Sequence, residues 1–300
     1  MLHKMKNFKF IILALALGCN TSESTEKEVE NVHNVEKNLN ISLLLDLSDR
    51  IDTTIHSNKT MEFYKRDIGY IKSVADVFSK HVRTKRAFFI NDNIRVFIDP
   101  EPQSTEVNRR LESMKSEFTS KSPNIASRIK NLSNIYEQQT TALYTQTLED
   151  NDYVGSDIWN FFKRKAKDFC VVEDHTNILV ILTDGYMYHE DSKYLESNRS
   201  SYLTSSTISS LGLNSSGFKK DIEEKDMGFI ATRSDLADLQ ILVIGINPNK
   251  KSGNPYEGDI IQEYWSKWFQ EMGVQRYKIV GAELPTNTEN LITDFILNGD

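Results

Sequence analysis

Three stretches of the chain are apolar at nearly every position: residues 41–45, 178–182 and 239–246. Runs this short and this continuous predict strands buried on both faces, the pattern of a parallel sheet. Helical spacing takes over between them. Phe63, Ile68, Ile71, Val74, Val77 and Phe78 predict a helix over 61–81. Residues 86–90 and 94–98 flank the turn-rich Asn91-Asp92-Asn93 and predict a β-hairpin, ended by Asp99-Pro100-Glu101-Pro102. Val107, Leu111, Met114 and Phe118 lie at helical intervals, Ser122-Pro123 interrupts, and a second helix is predicted through 125–148. Gly155-Ser156 opens a helix over 158–169 with Trp159, Phe161 and Phe162. Beyond 239–246, closed by Asn247-Pro248-Asn249, come a helix over 260–272, a strand over 277–281 and a helix over 287–297. Strands alternating with helices predict an α/β fold with a doubly wound, mostly parallel sheet and helices on both faces. There is no internal repeat.

Residues 186–235 break the alternation with a Ser- and Asn-rich stretch, densest at 197–217. A long insertion in a compact domain is usually functional or disordered. This one leaves the carboxyl end of the 178–182 strand, so it is expected either as a lid or partner-reading surface, or as a mobile loop.

The chemistry sits at two strand ends, Asp46-Leu47-Ser48 and Thr183-Asp184-Gly185. If those strands are neighbours, Asp46, Ser48 and Asp184 meet at the crevice where open α/β sheets bind ligands. Hard oxygen donors of this kind suit a small divalent cation. The pair of motifs resembles the von Willebrand factor type A domain and its metal-ion-dependent adhesion site. Asp46 and Ser48 match the first two positions of that site's Asp-x-Ser-x-Ser, and Asp184 matches its last Asp. Ser156 stands in for the Thr, with Asp157 assisting, and Arg50 replaces the second Ser.

The resemblance implies a fold with one antiparallel edge strand. It covers a domain over 39–300, with insertions at about 103–150 and 186–235. It further implies a protein-binding module and not an enzyme, with Mg2+ or another divalent cation whose open position takes a partner's carboxylate. Two arrangements are open to Arg50. Pointing inward, it pairs with Asp46 or Asp184 as a built-in cation; pointing outward, it leaves Asp49 or water to cover the missing ligand. Two other functions compete: a structural envelope component with a metal-free vestigial site, and a metal-dependent hydrolase with Asp49 as its one nameable base.

The amino terminus addresses location. Lys4, Lys6 and Lys9 precede an apolar stretch at 10–17, shorter than the roughly 20 residues that span a bilayer. Ala16-Leu17-Gly18-Cys19 follows and resembles a bacterial lipoprotein lipobox. The resemblance implies a signal peptide over 1–18 and acylation at Cys19. It places the protein in the bacterial cell envelope, lipid-anchored at the outer membrane on its periplasmic or surface face. Residues 19–38 are polar and acidic and read as a disordered tether. A formal net charge of −7, more negative once those lysines are removed, argues against nucleic acid or an anionic lipid surface as partner.

Cys170, the second of two cysteines, is expected as a small buried hydrophobe. The aromatic stripe Tyr264, Trp265, Trp268 and Phe269 is expected in the core, and His175 and His189 in solvent-facing turns. No His-Glu-x-x-His, Gly-x-Ser-x-Gly or Cys-x-x-Cys is present.

Overall fold

A computed structural model describes residues 37–298 apart from Asp152. The expected signal segment, Cys19 and all but the last two positions of the acidic tether lie outside the described residues. In chain order the elements are β1 (Asn38–Leu45), α1 (Phe63–Thr84), β2 (Asn91–Phe97), α2 (Thr105–Ser113), β3 (Ser116–Thr119), α3 (Ile125–Asp150), α4 (Ile158–Arg164), α5 (Ala166–Cys170) and β4 (His175–Leu182). There follow β5 (Leu195–Glu196), β6 (Arg199–Ser200), α6 (Ser205–Ser210), α7 (Phe218–Glu224), β7 (Gly228–Phe229), β8 (Leu239–Ile246), α8 (Glu257–Glu271), β9 (Arg276–Gly281) and α9 (Pro285–Leu297).

The main sheet runs β3-β2-β1-β4-β8-β9. Five of its strands are parallel, and β3 alone runs antiparallel to β2. From β1 the chain moves to β2 on one side, then returns to β4, β8 and β9 on the other. The order therefore reverses between β1 and β4, whose register pairs Leu45 with Leu182. Such a reversal opens a crevice at the strands' carboxyl ends, because the two flanking connections leave on opposite sides.

Alternation along the strands divides the core. Ile41, Leu43 and Leu45 of β1, with Ile178, Val180 and Leu182 of β4, pack against α1, α3 and α9. Leu44, Leu179, Ile181, Ile241 and Val243 face α4, α5 and α8. Both faces are thus buried, which is why these strands read as unbroken apolar runs. Cys170 is fully buried on the second face, and burial pushes its thiol up to about 12. Polar Asn40 is tolerated there because its amide donates to Asn177 Oδ1 and to the Cys170 carbonyl, each at 2.9 Å.

Four expectations change. Residues 86–90 form no strand: Ala87–Phe89 is an exposed 3-10 turn, and the antiparallel partner of β2 is β3. The helix expected through Phe118 stops at Ser113, because 116–119 is that strand, with alternating burial that hides Ser116 and Phe118. The helix over 158–169 is split at Lys165 into α4 and α5. Residues 186–235 are neither a mobile loop nor a free lid. Met187, Leu203, Ile208, Leu213, Phe218, Ile222, Met227 and Phe229 all enter the second core. The indoles of Trp159 and Trp268 both donate to the Ile230 carbonyl, at 2.9 and 3.0 Å. Among the described residues, no helix is long and apolar enough to cross a membrane.

Candidate functional site

Adjacent strand ends place the two aspartates. Asp46 follows β1, and its N–H donates to the Leu182 carbonyl at 3.0 Å, extending the β1–β4 ladder by one bond. Its Oδ1 accepts the Ser48 N–H at 3.0 Å and its Oδ2 the Thr183 hydroxyl at 2.8 Å. Thr183 is itself fully buried. Asp184 lies one residue further on; its Oδ1 accepts the Tyr186 N–H at 3.1 Å, and its carbonyl the Asn247 N–H at 2.9 Å.

Two glycines make this turn possible. Gly185 has φ +96°, and a Cβ there would meet Ile246 Cδ1 and Ile261 Cγ2 at 2.6 Å. Gly245 has φ +115°, and a Cβ would stand 2.7 Å from the Thr183 carbonyl oxygen. Both φ values suit glycine and strain other residues. Trp265 adds a brace from α8, its indole donating to the Gly185 carbonyl at 2.8 Å. The aromatic stripe is core, as expected, and this member also holds the Asp184 turn.

Ser156 arrives from the α3–α4 connection. The Gly155 N–H donates to the Leu47 carbonyl at 3.2 Å, and Ser156 forms a bridge with Tyr188. Its Oγ is buried with no hydrogen-bond partner. Asp46, Ser48, Ser156 and Asp184 line one cleft of about 990 Å3, together with His56, Tyr153, Tyr186, Tyr188, Lys250 and Lys251.

Asp157 departs from expectation. Its Oδ1 caps α4 by accepting the Asn160 N–H at 3.1 Å, and its Oδ2 accepts the Ser192 hydroxyl. His189 Nδ1 lies 3.5 Å from the same Oδ2. Asp157 is not among the residues that line the cleft. The helix N-terminus and the inserted segment claim its oxygens, so it ties 186–235 to α4. His175 sits at the amino end of β4, where its Nε2 is 2.9 Å from the Asn91 carbonyl oxygen.

Arg50 points inward. A 3-10 turn at Asp49–Ile51 directs it beneath the strand ends. Nε donates to the Asp46 carbonyl at 3.0 Å, and one terminal nitrogen donates to the Leu182 carbonyl at 3.1 Å. That nitrogen also forms a short ion pair with Asp67 Oδ2, whereas Nε is 3.5 Å from Asp46 Oδ2. Asp67 was not foreseen. It falls in the series Phe63, Asp67, Ile71, Val74 on the inward side of α1, and a carboxylate at that spacing was the signal available. Tyr144 of α3 donates to it at 2.9 Å. Burial raises the Asp67 carboxyl, with Arg50 pulling the other way.

Charge at the cleft follows from this pairing. Arg50 is closest to Asp67 and 3.5 Å from Asp46 Oδ2, so one guanidinium faces the three carboxylates of Asp46, Asp67 and Asp184 and offsets only part of their charge. Burial first, then repulsion from Asp46, pushes Asp184 up to about 7 against the pull of Arg50. Among the described residues, no group of three or more His, Cys, Asp or Glu could hold a metal. A cation here would have to use hydroxyls beside its two carboxylates. The unpartnered Ser156 Oγ and the Ser48 side chain provide them, so the residues fit a hard, partly hydrated ion.

The chain matches no protein-family model and no curated protein. Among solved structures it is similar to an aerotolerance-related membrane protein from Bacteroides fragilis NCTC 9343, at 10% identity and TM-score 0.36, covering 87% of this chain and 100% of that one. BatB from Bacteroides thetaiotaomicron, a conserved hypothetical protein, gives 10% identity and TM-score 0.35 over 85% and 96%. The pilus adhesin SpaC from Lactobacillus rhamnosus GG gives 11% and 0.40 over 90% of this chain but 31% of its own. Overlaps this loose carry no argument about activity. The chemistry of the cleft itself is what bears on function.

Proposed function

We propose that the chain is a type A-like protein-binding module that holds Mg2+ or another divalent cation through Asp46, Ser48, Ser156 and Asp184. A cation bound there supplies a positive centre with an open position for a partner's carboxylate oxygen. The protein residues do the rest. Thr183 and the Ser48 N–H fix the rotamer of Asp46, the Tyr186 N–H fixes Asp184, and Gly155 brings Ser156 to the same cleft. One observation carries the reading: two strand-end carboxylates and an unpartnered buried hydroxyl share one cleft, while Arg50, the nearest cation, lies closer to Asp67 than to Asp46. The module binds and does not turn over substrate. It is held in the bacterial envelope by acylation at Cys19, toward a protein partner.

A second reading is favoured by the Arg50 contacts with the Asp46 carbonyl and carboxylate. On that reading the guanidinium is a permanent internal cation, the site is vestigial, and the domain is a structural part of an envelope assembly. Titrating residues 36–300 with Mg2+ and Mn2+ by calorimetry separates the two. The first reading expects one site with a Kd of about 1 mM or tighter, some −4 kcal/mol or better, abolished by Asp184→Ala. Athermal titration at two temperatures, with no change in unfolding temperature, would favour the vestigial site.

A further inference from the structure

The most exposed large hydrophobic side chain among the described residues, Phe88, is far from the cleft. Phe88 and Phe89 are 82% and 52% exposed on the turn that leads into β2. Their rings meet edge to face at 5.6 Å, so they form one apolar knob. The whole run Arg86–Ala87–Phe88–Phe89 is exposed, and so are Lys37, Arg83 and Lys121. Among the described residues Arg83 and Arg86 have no carboxylate within ion-pair distance; Lys85, between them, is committed to Asp92 at 2.7 Å. Glu117 of β3 and the Glu173-Asp174 turn before β4 are exposed acids at the same end.

The described chain begins at the same end. The Lys37 carbonyl accepts from Lys85 Nζ at 3.3 Å and lies 3.2 Å from His81 Nε2, while Asn38 Oδ1 accepts from Lys85 at 3.1 Å. The described chain therefore starts at the amino ends of the parallel strands, the end that carries the aromatic pair. The candidate binding cleft opens at their carboxyl ends.

We infer that Phe88 and Phe89, flanked by Arg83 and Arg86, form a second membrane contact, the rings entering the headgroup boundary of an anionic phospholipid surface and the guanidinium groups pairing with its phosphates. Aromatic rings with cationic neighbours suit that boundary, where one end of the contact is apolar and the other wet. The net negative charge that argues against a broad contact with an anionic surface confines the contact to this one basic, aromatic corner. Its consequence is geometric: the domain rests on its strands' amino ends and turns the cleft away from the bilayer.

Residues 36–300 form one compact unit that contains the whole sheet and both cores, so they can be tested without the upstream segment. The experiment is co-sedimentation with vesicles of phosphatidylglycerol and phosphatidylethanolamine, against phosphatidylcholine alone. Binding to the anionic vesicles is expected, weakened about tenfold or more by Phe88→Ser with Phe89→Ser. A comparable loss is expected with Arg83→Gln and Arg86→Gln. All four side chains are exposed, so unchanged thermal unfolding of each variant checks that the fold is intact. Absence of binding to anionic vesicles overturns the inference, as does equal binding by the Phe variant. Either result leaves the cation site untouched.

Discussion

Replacing Arg50 by Met tests the charge arrangement on which the site depends. Arg50 and Asp67 are 5% and 2% exposed, and the guanidinium also satisfies the carbonyls of Asp46 and Leu182. Removing it leaves a buried carboxylate whose remaining partner is the Tyr144 hydroxyl. Breaking one side of a buried pair costs about 3–5 kcal/mol, because the other charge stays desolvated. In a body of this size each kcal/mol shifts the unfolding temperature by about 2–4 °C, so a fall of roughly 6–20 °C is expected. Adding Asp67→Leu removes the stranded charge and should recover most of the loss. Urea unfolding at pH 7 of the wild type, both single variants and the double variant completes the cycle. If Arg50→Met costs less than about 1 kcal/mol, or the double variant costs the sum of the singles, the guanidinium is not matched with Asp67 as described.

Three further outcomes are expected. The Asp184 carboxyl is raised to about 7, so its contribution to the stability of the metal-free protein is complete below its unfolded pKa and is lost as pH rises through about 7. Cation affinity runs the other way, tightening with pH up to that point by about tenfold per unit; affinity that is flat from pH 5.5 to 8 in calorimetry would contradict this. Ser156→Ala removes a hydroxyl with no protein partner, so stability should change by less than about 0.5 kcal/mol while Mn2+ affinity falls; denaturant and metal titrations of one sample measure both. Gly245→Ala forces a Cβ to within 2.7 Å of the Thr183 carbonyl oxygen and should cost about 2 kcal/mol or more with loss of cation binding; near-wild-type unfolding would show that this turn is not strained.

Legibility in the sequence followed the physics of each segment. Strands buried on both faces could be read directly, and β8 spans the apolar run 239–246 without a residue's difference. The convergence of Asp46, Ser48, Ser156 and Asp184 was also readable, because each terminates or opens an element whose type was clear. Short elements were not. In β3, Phe118 stands four residues after Met114, and that spacing imitates a helix. Arg86-Ala87-Phe88-Phe89-Ile90 imitates a strand because it is apolar, yet its rings are outside. The Ser-rich insertion hid its order because its anchors, from Leu203 through Phe229, occur about every five residues and follow neither period. Asp157 reads as assisting Ser156; in the structure its Oδ1 caps α4. Asp67 was missed because a single charge in a helical stripe is usually discounted. Here it is what Arg50 requires.

Diffraction from crystals of residues 36–300 grown with Mn2+, collected at the manganese absorption edge, tests the central claim most directly. An anomalous peak within about 2.3 Å of Ser48 Oγ or Ser156 Oγ, beside Asp46 and Asp184, is the expected result. A structure with no peak there, and with the Arg50 guanidinium turned up between the two aspartates, would contradict it.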